Sequence, residues 1–212
     1  MENDSYKNIP HKTIERLSQY RRALLICSGK GKTYIFSHEI ASLLHVTAVQ
    51  VRRDLMLIGY SGSLRKGYNI SDLVNLIGEL IDSPKGQKVA IFGMGNLGIA
   101  IIKYFQDKRE KLKITAGFDI NPEKTNRRIA GINCYPVEKT AEIIGKENIK
   151  IGILTVPGDQ ADKTISIMIE AGIKGILNYT PTPVEVPDDV YLEEYNMISS
   201  LEKVAFYVKE RS

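Results

Sequence analysis

Gly93-Met94-Gly95-Asn96-Leu97-Gly98 follows directly on the apolar run Val89-Ala90-Ile91-Phe92, and Asp119 closes a second apolar run 21 residues beyond Gly98. A G-x-G-x-x-G alone is a weak signal. Between a strand and a helix, with an acid about 20 residues later, it predicts a dinucleotide site. Gly93 would permit the tight turn, Gly95 would let backbone approach a pyrophosphate, and Gly98 would let the helix lie close on the strand. The amides around Met94, Asn96 and Leu97 open that helix and offer partial positive charge to phosphates. Asp119 would accept from the adenosine ribose hydroxyls and repel a 2′-phosphate, which favours NAD(H) over NADP(H).

Downstream, apolar runs alternate with helical segments, which predicts a parallel, doubly wound sheet. Strands are expected at 89–92, 114–118, 132–135, 149–156 and 173–179, with helices at 96–105 and 162–171. Ligands of such sheets lie beyond the C-terminal strand ends. Thr155-Val156-Pro157 and the stretch from Asn178 to Pro181 occupy two of those ends. They are candidates for the nicotinamide side, and ordinary strand-ending turns are the other reading. Tyr104, six residues past Gly98, fits a core position by spacing. Residues 196–211 read as one amphipathic helix with Ile198, Leu201, Val204, Ala205 and Val208 on one face. That face docks on its own sheet or on a second subunit; the two-fold symmetry of dimeric DNA readers favours the second subunit.

Upstream of the fingerprint the chain reads differently. From Lys7 to Tyr68 there are eleven Lys/Arg against three acids, while the whole chain is only +4. A local basic surplus suits a polyanion. A first helix is expected over about 9–27, broken by Gly29-Lys30-Gly31-Lys32. Ser37 would cap a short second helix and Thr47 a third, with Thr47-x-x-Gln50 in capping-box form. Val51, Leu55 and Ile58 would face inward at i, i+4 and i+7, leaving Gln50, Arg53 and, to one side, Arg52 outward. Two short helices with a tight turn make a helix-turn-helix. A helix fits the major groove, where Gln can bond adenine at two points and Arg can bond guanine or phosphate. Gln50 has the capping box as its other role, and Arg52 has a carboxylate partner as its own. Residues 60–70 look like a β-wing with Arg65-Lys66 at its tip. Ser71-Asp72 would cap a further helix, and Ser83-Pro84-Lys85-Gly86 marks a boundary. The expected organisation is a DNA-binding domain at 1–82, a Rossmann-like domain at 85–194 and a terminal helix at 195–212.

The 43% hydrophobic and 25% charged composition is that of a soluble globular chain. No run is long enough to span a membrane, and the polar, acidic start Met1-Glu2-Asn3-Asp4-Ser5 is not a signal peptide. Cys27 and Cys134 read as small hydrophobes of a reduced cytosol. No metal spacing joins them to His11, His38 and His45. Hydride transfer needs a positioned acid or base. The histidines all precede the fingerprint, and there is no separate substrate domain, so an oxidoreductase with a DNA-binding appendage is the weaker alternative.

These motifs together resemble the Rex family of redox-sensing transcriptional repressors, over nearly the whole chain. The resemblance is carried by Ile9-Pro10, Thr13-Ile14 and Arg16-Leu17, by Val49-Gln50-Val51-Arg52-Arg53-Asp54-Leu55, and by Gly67-Tyr68. The glycine motif, Phe118-Asp119, Leu154-Thr155-Val156-Pro157 and the run from Gly172 to Asn178 follow in order. The resemblance implies a winged helix-turn-helix, a Rossmann-like sheet and a terminal helix exchanged within a cytoplasmic homodimer. NADH would close the dimer and release double-stranded operator DNA, while NAD+ would compete and leave DNA binding possible. Ser37, Thr47, Gln50, Arg52, Arg53, Arg65, Lys66 and Tyr68 become the expected DNA-binding set. Arg16 and Tyr104 match two members of the family's switch network; its Asp aligns with Asn196 here. An amide cannot make the same charge-assisted bond, so a paralogue that binds DNA constitutively is a further alternative.

Overall fold

The computed structural model describes residues 9–106 and 108–209. The chain divides into two compact units, Met1–Pro84 and Lys85–Ser212.

The first unit contains α1 (His11–Gly29), β1 (Tyr34–Ile35), α2 (Ser37–Leu44), α3 (Ala48–Leu57), β2 (Tyr68–Asn69) and α4 (Ile70–Ile81). Pro10 is the N-cap of α1, extended at ψ 142°, and its carbonyl accepts from Thr13 and Ile14 to start the helical ladder. The α1 stripe of Leu17, Tyr20 and Leu24 is fully buried with Ile40, Val51, Leu55, Leu73 and Ile77. Ser37 is the first residue of α2 and not its cap: the Glu39 carboxylate reaches back to the Phe36 amide at 2.9 Å. His45 ends α2 in the left-handed region at φ 54°. Thr47 does cap α3, its hydroxyl accepting from the Gln50 amide at 3.1 Å. At α4 the cap is Asn69, whose side chain accepts from the Ser71 and Asp72 amides. The wing is short. β1 pairs antiparallel with β2, and Ser63 and Gly67 exchange two backbone hydrogen bonds. Gly67 has φ +75°, and a Cβ there would overlap the Ile35 carbonyl, so glycine alone closes this turn.

The second unit is a seven-stranded sheet in the order β5-β6-β4-β3-β7-β8-β9. Its strands are β3 (Gln87–Phe92), β4 (Leu112–Asp119), β5 (Arg127–Ile129), β6 (Ile132–Pro136), β7 (Ile151–Leu154), β8 (Gly175–Asn178) and β9 (Tyr191–Glu194). All pairings are parallel except β5 with β6. The helices are α5 (Asn96–Phe105), α6 (Thr140–Glu147), α7 (Ala161–Glu170) and α8 (Met197–Lys209). β3 lies between β4 and β7, where the strand order reverses direction, so the sheet opens its crevice there. Phe92 and Phe118 stack at 4.9 Å beneath that crevice. Cys134, on β6, has no exposed surface, and burial pushes its thiol pKa up to about 11. α8 has no buried residue: Leu201 is 70% exposed, and Ile198, Val204 and Val208 are more than half exposed.

Candidate dinucleotide cleft and nucleic-acid interface

The glycine loop joins β3 to α5 as the spacing predicts. Gly93 adopts φ +97°, and a Cβ there would press on the Thr155 backbone at 2.8 Å. A Cβ at Gly98 would overlap the Gly93 carbonyl oxygen. The loop and the first turn of α5 are thus held together by the lack of side chains. Gly95 is different: a Cβ there meets nothing within 4 Å. It would project into the open space over the N-terminus of α5, whose first-turn amides lack helical partners by geometry. Anionic oxygens fit that space. Met94 turns its side chain into the core, fully buried, toward Gly117. Asn96 and Leu97 are the first two residues of α5.

A cleft of about 350 Å³ opens beside the loop, lined by Gly93, Gly95, Asp119, Thr155, Val156 and Pro157 among others. Asp119 ends β4 and is 8% exposed. Its Oδ2 accepts from the Met94 amide at 2.8 Å and from the Lys124 ammonium at 3.1 Å; its Oδ1 accepts from the Asn121 amide at 2.8 Å. Thr155 has a local role as well. Its hydroxyl lies 2.8 Å from the Gly93 carbonyl and 3.0 Å from that of Phe92, knitting the ends of β3 and β7. Asn178 and Pro181 do not line this cleft. Asn178 is 2% exposed; its Oδ1 accepts from the Thr180 amide and hydroxyl, and its Nδ2 donates to the Thr182 carbonyl. It therefore shapes the turn after β8 that carries Pro181.

In the first unit, the centre of the helical packing is a residue that sequence reasoning passed over. Asp54 on α3 is fully buried and accepts four hydrogen bonds. Arg16 of α1 donates Nε at 2.6 Å and Nη2 at 2.8 Å, the Tyr20 hydroxyl donates at 2.7 Å, and Gln50 donates Nε2 at 2.8 Å. Burial pushes the Asp54 carboxyl up, but the donors outweigh it and hold it below the usual carboxylate range. Burial and the same contact push the Tyr20 phenol upward. One hydrogen of the Gln50 amide nitrogen is therefore committed to the network, and its second hydrogen and its carbonyl oxygen remain to be offered elsewhere. The available signal was helical phase: Asp54 lies three residues after Val51 and one before Leu55, on the inward face.

Arg52 donates to the Ser37 hydroxyl at 3.0 Å, bracing α3 against α2. Arg53 is exposed on the same face of α3 as Val49 and Met56, themselves 58% and 73% exposed. Arg65 and Lys66 sit in the turn bridged by Ser63 and Gly67, with the Lys66 ammonium 5.5 Å from the Tyr34 ring centre. Tyr68 is 8% exposed and packs near Tyr60, so it serves the core of the unit.

The three switch candidates are each engaged locally. Arg16 holds Asp54. Tyr104 is 53% exposed, not the core residue its spacing fits, with the Lys108 ammonium 3.4 Å from its ring centre. Asn196 caps α8, its Oδ1 accepting from the Ser199 amide at 3.0 Å. Among the described residues no cluster of three His, Cys, Asp or Glu side chains could hold a metal, and no helix is long and apolar enough to cross a membrane.

Residues 84–182 match a family described as "CoA binding domain", and residues 8–55 match one described as "Putative DNA-binding protein N-terminus". The redox-sensing transcriptional repressor Rex of Lactobacillus acidophilus is 32% identical over 94% of this chain and 95% of its own length. That of Listeria welshimeri is 33% identical over 95% and 94%. RSP, a Rex-family repressor, is 34% identical in its crystal structure with β-NAD+ and operator DNA, at a TM-score of 0.87 over 96% of this chain and 94% of that one. RSP with β-NADH superposes at 0.85, with 33% identity over 97% and 96%.

Proposed function

The chain belongs to the Rex family of redox-sensing transcriptional repressors, and from that membership we propose that it grips operator DNA through its first unit and releases it when NADH fills the cleft of its second. It is a repressor and not an enzyme. NADH and NAD+ are its cofactors, and double-stranded operator DNA is its partner.

The observation that carries this reading is the open space at Gly95, at the mouth of an α5 N-terminus and beside Asp119. The loop amides would hold the pyrophosphate, and Asp119 would take the adenosine ribose. The bound nicotinamide supplies the signal itself: the oxidised ring is a cation and the reduced ring is neutral. Thr155, Val156 and Pro157 are our candidates for the residues facing that ring. Asn178 and Pro181, which do not line the cleft, are assigned an indirect part through the turn after β8 that Asn178 braces.

In the reading head, α3 enters the major groove. Arg53 is assigned to a base edge. Arg52, braced by Ser37, and the wing-tip Arg65 and Lys66 are assigned to the backbone. Thr47 and the Asp54 network hold the helix in place.

The protein works as a cytoplasmic homodimer, which supports two-fold operator reading. The uncovered apolar face of α8 supports this. Each aliphatic side chain there is worth about 1.5–3 kcal/mol when fully buried, so a partner surface gains several such increments. NADH then shifts the equilibrium only as far as its affinities for the closed and DNA-competent dimers differ. A second reading, a muted NADH response, is favoured by the uncharged Asn196 and by Arg16 being held on Asp54.

The test is fluorescence anisotropy on a labelled duplex selected from a random pool, titrated with NADH and NAD+ in parallel. Release by NADH and retention with NAD+ is the expected result; equal behaviour with both nucleotides would count against redox sensing.

A further inference from the structure

The outward face of α3 is not uniformly polar. Val49, Arg53 and Met56 lie at i, i+4 and i+7 along one stripe of the helix, with Arg52 and Leu57 on its two sides. Val49 is 58% exposed, Met56 73% and Leu57 51%. These five residues line one shallow hollow on the surface of the first unit. The opposite side of the helix is already satisfied: Val51 and Leu55 are fully buried, and Asp54 is held by its donors. The packing of the unit therefore gives no reason for apolar side chains at 49 and 56, where a solvated helix face carries polar ones.

The surroundings say what covers them. Both charged residues of the hollow's lining, Arg52 and Arg53, are cations. An apolar stripe flanked by cations fits a surface that is apolar on its floor and anionic at its walls. The major groove has that form: phosphates edge it, and each thymine presents a C5-methyl group on the floor. A recognition helix meets base edges with its N-terminal residues, and Val49 is the second residue of α3.

We infer that Val49 and Met56 are specificity-determining residues that read thymine methyl groups on either side of the base pair assigned to Arg53. The inference rests on the reading of α3 as the helix that enters the groove. The seven residues from Val49 to Met56 span about 10 Å of helix axis, or about three base-pair steps of 3.4 Å. The two thymines belong about that far apart within one half-site. Val49 is β-branched and stiff at χ1, so its methyls are placed before binding. Met56 is unbranched, and its thioether adapts to the second methyl.

The test is fluorescence anisotropy of the full chain on a duplex selected from a random pool. Each thymine of a half-site is replaced in turn by deoxyuridine, which removes the methyl alone. Wild type is expected to lose about fourfold in affinity at each of two positions, the worth of one buried methyl or methylene group. Val49→Ala should abolish the penalty at one position and Met56→Ser at the other, each leaving its neighbour's intact. Both side chains are exposed, so these variants keep the fold, and the deoxyuridine series on wild type needs no variant at all. Penalties under about twofold at every thymine overturn the inference, as do penalties that persist in both variants. A change of sedimentation mass in the variants, with the deoxyuridine penalties unmoved, assigns the hollow to contact with a second copy of the chain and also overturns it. Failure of wild type to select any duplex refutes the reading of α3 itself, a distinct result.

Discussion

Arg16 and Asp54 meet as a bidentate pair, Nε to Oδ2 at 2.6 Å and Nη2 to Oδ1 at 2.8 Å, with the carboxylate fully buried and the arginine largely so. The pair joins α1 to α3, the helix proposed to read DNA. Removing the acid leaves a partly buried guanidinium and the Tyr20 hydroxyl without their acceptor. Asp54→Ala should cost about 3–5 kcal/mol, the range for one partner of a buried ion pair. Chemical denaturation checks this, and a loss under about 1 kcal/mol would mean that packing alone holds α3.

The same carboxylate sets an acid limit. Asp54 titrates below its ordinary value of about 3.9 when folded, so the unfolded chain takes up its proton first. Its contribution is complete above the unfolded value and is lost as pH falls through the folded one. The Tm gap between wild type and Asp54→Asn should be constant above about pH 5 and close below about pH 4. A gap that stays fixed to the lowest pH would contradict a depressed Asp54.

Arg53 and the wing cations should separate by type of loss. Arg53→Ala is expected to weaken operator binding by roughly 1–3 kcal/mol and to relax discrimination at one base pair. Arg65→Ala and Lys66→Ala should weaken all duplexes alike and lower the salt slope by about 1 each. Anisotropy on duplexes with single base substitutions reads all three.

Gly95→Val places a side chain in the one part of the loop where a Cβ has open space. The protein should fold and bind operator normally while NADH uptake falls below detection. Normal NADH affinity in this variant would move the pyrophosphate elsewhere.

Asn196→Asp is a clean probe of the switch. An Asp oxygen can accept from the Ser199 amide as Asn does, and an acid at a helix N-terminus is favourable. Stability should hold while NADH releases operator at lower concentration. An unchanged midpoint would show that the charge at 196 is not what couples the two functions.

The glycine loop, β3 and the late acid were legible because each is fixed by a local rule: a turn that needs glycine, a helix N-terminus, a strand end. The capping of α3 by Thr47 was legible for the same reason. β1 was not, since two residues carry no periodicity. β9 was missed because its side chains are mostly exposed, without the alternation of a half-buried strand. Asn69 displaced Ser71-Asp72 as a cap because β2 runs straight into α4, a tertiary circumstance. Neither Asp54 nor Lys124 could be assigned a partner from spacing, because Arg16 lies 38 residues away and the lysine's role depends on how the loop after β4 turns back.

Cys134 gives the sheet of the second unit a selective deafness. Oxidants and electrophiles attack the thiolate, and at that position the thiolate is scarce at neutral pH and sealed inside the sheet. A burst of peroxide should pass this sulfur unnoticed, so that β6 at the heart of the sheet carries no thiol alarm for damage from oxygen.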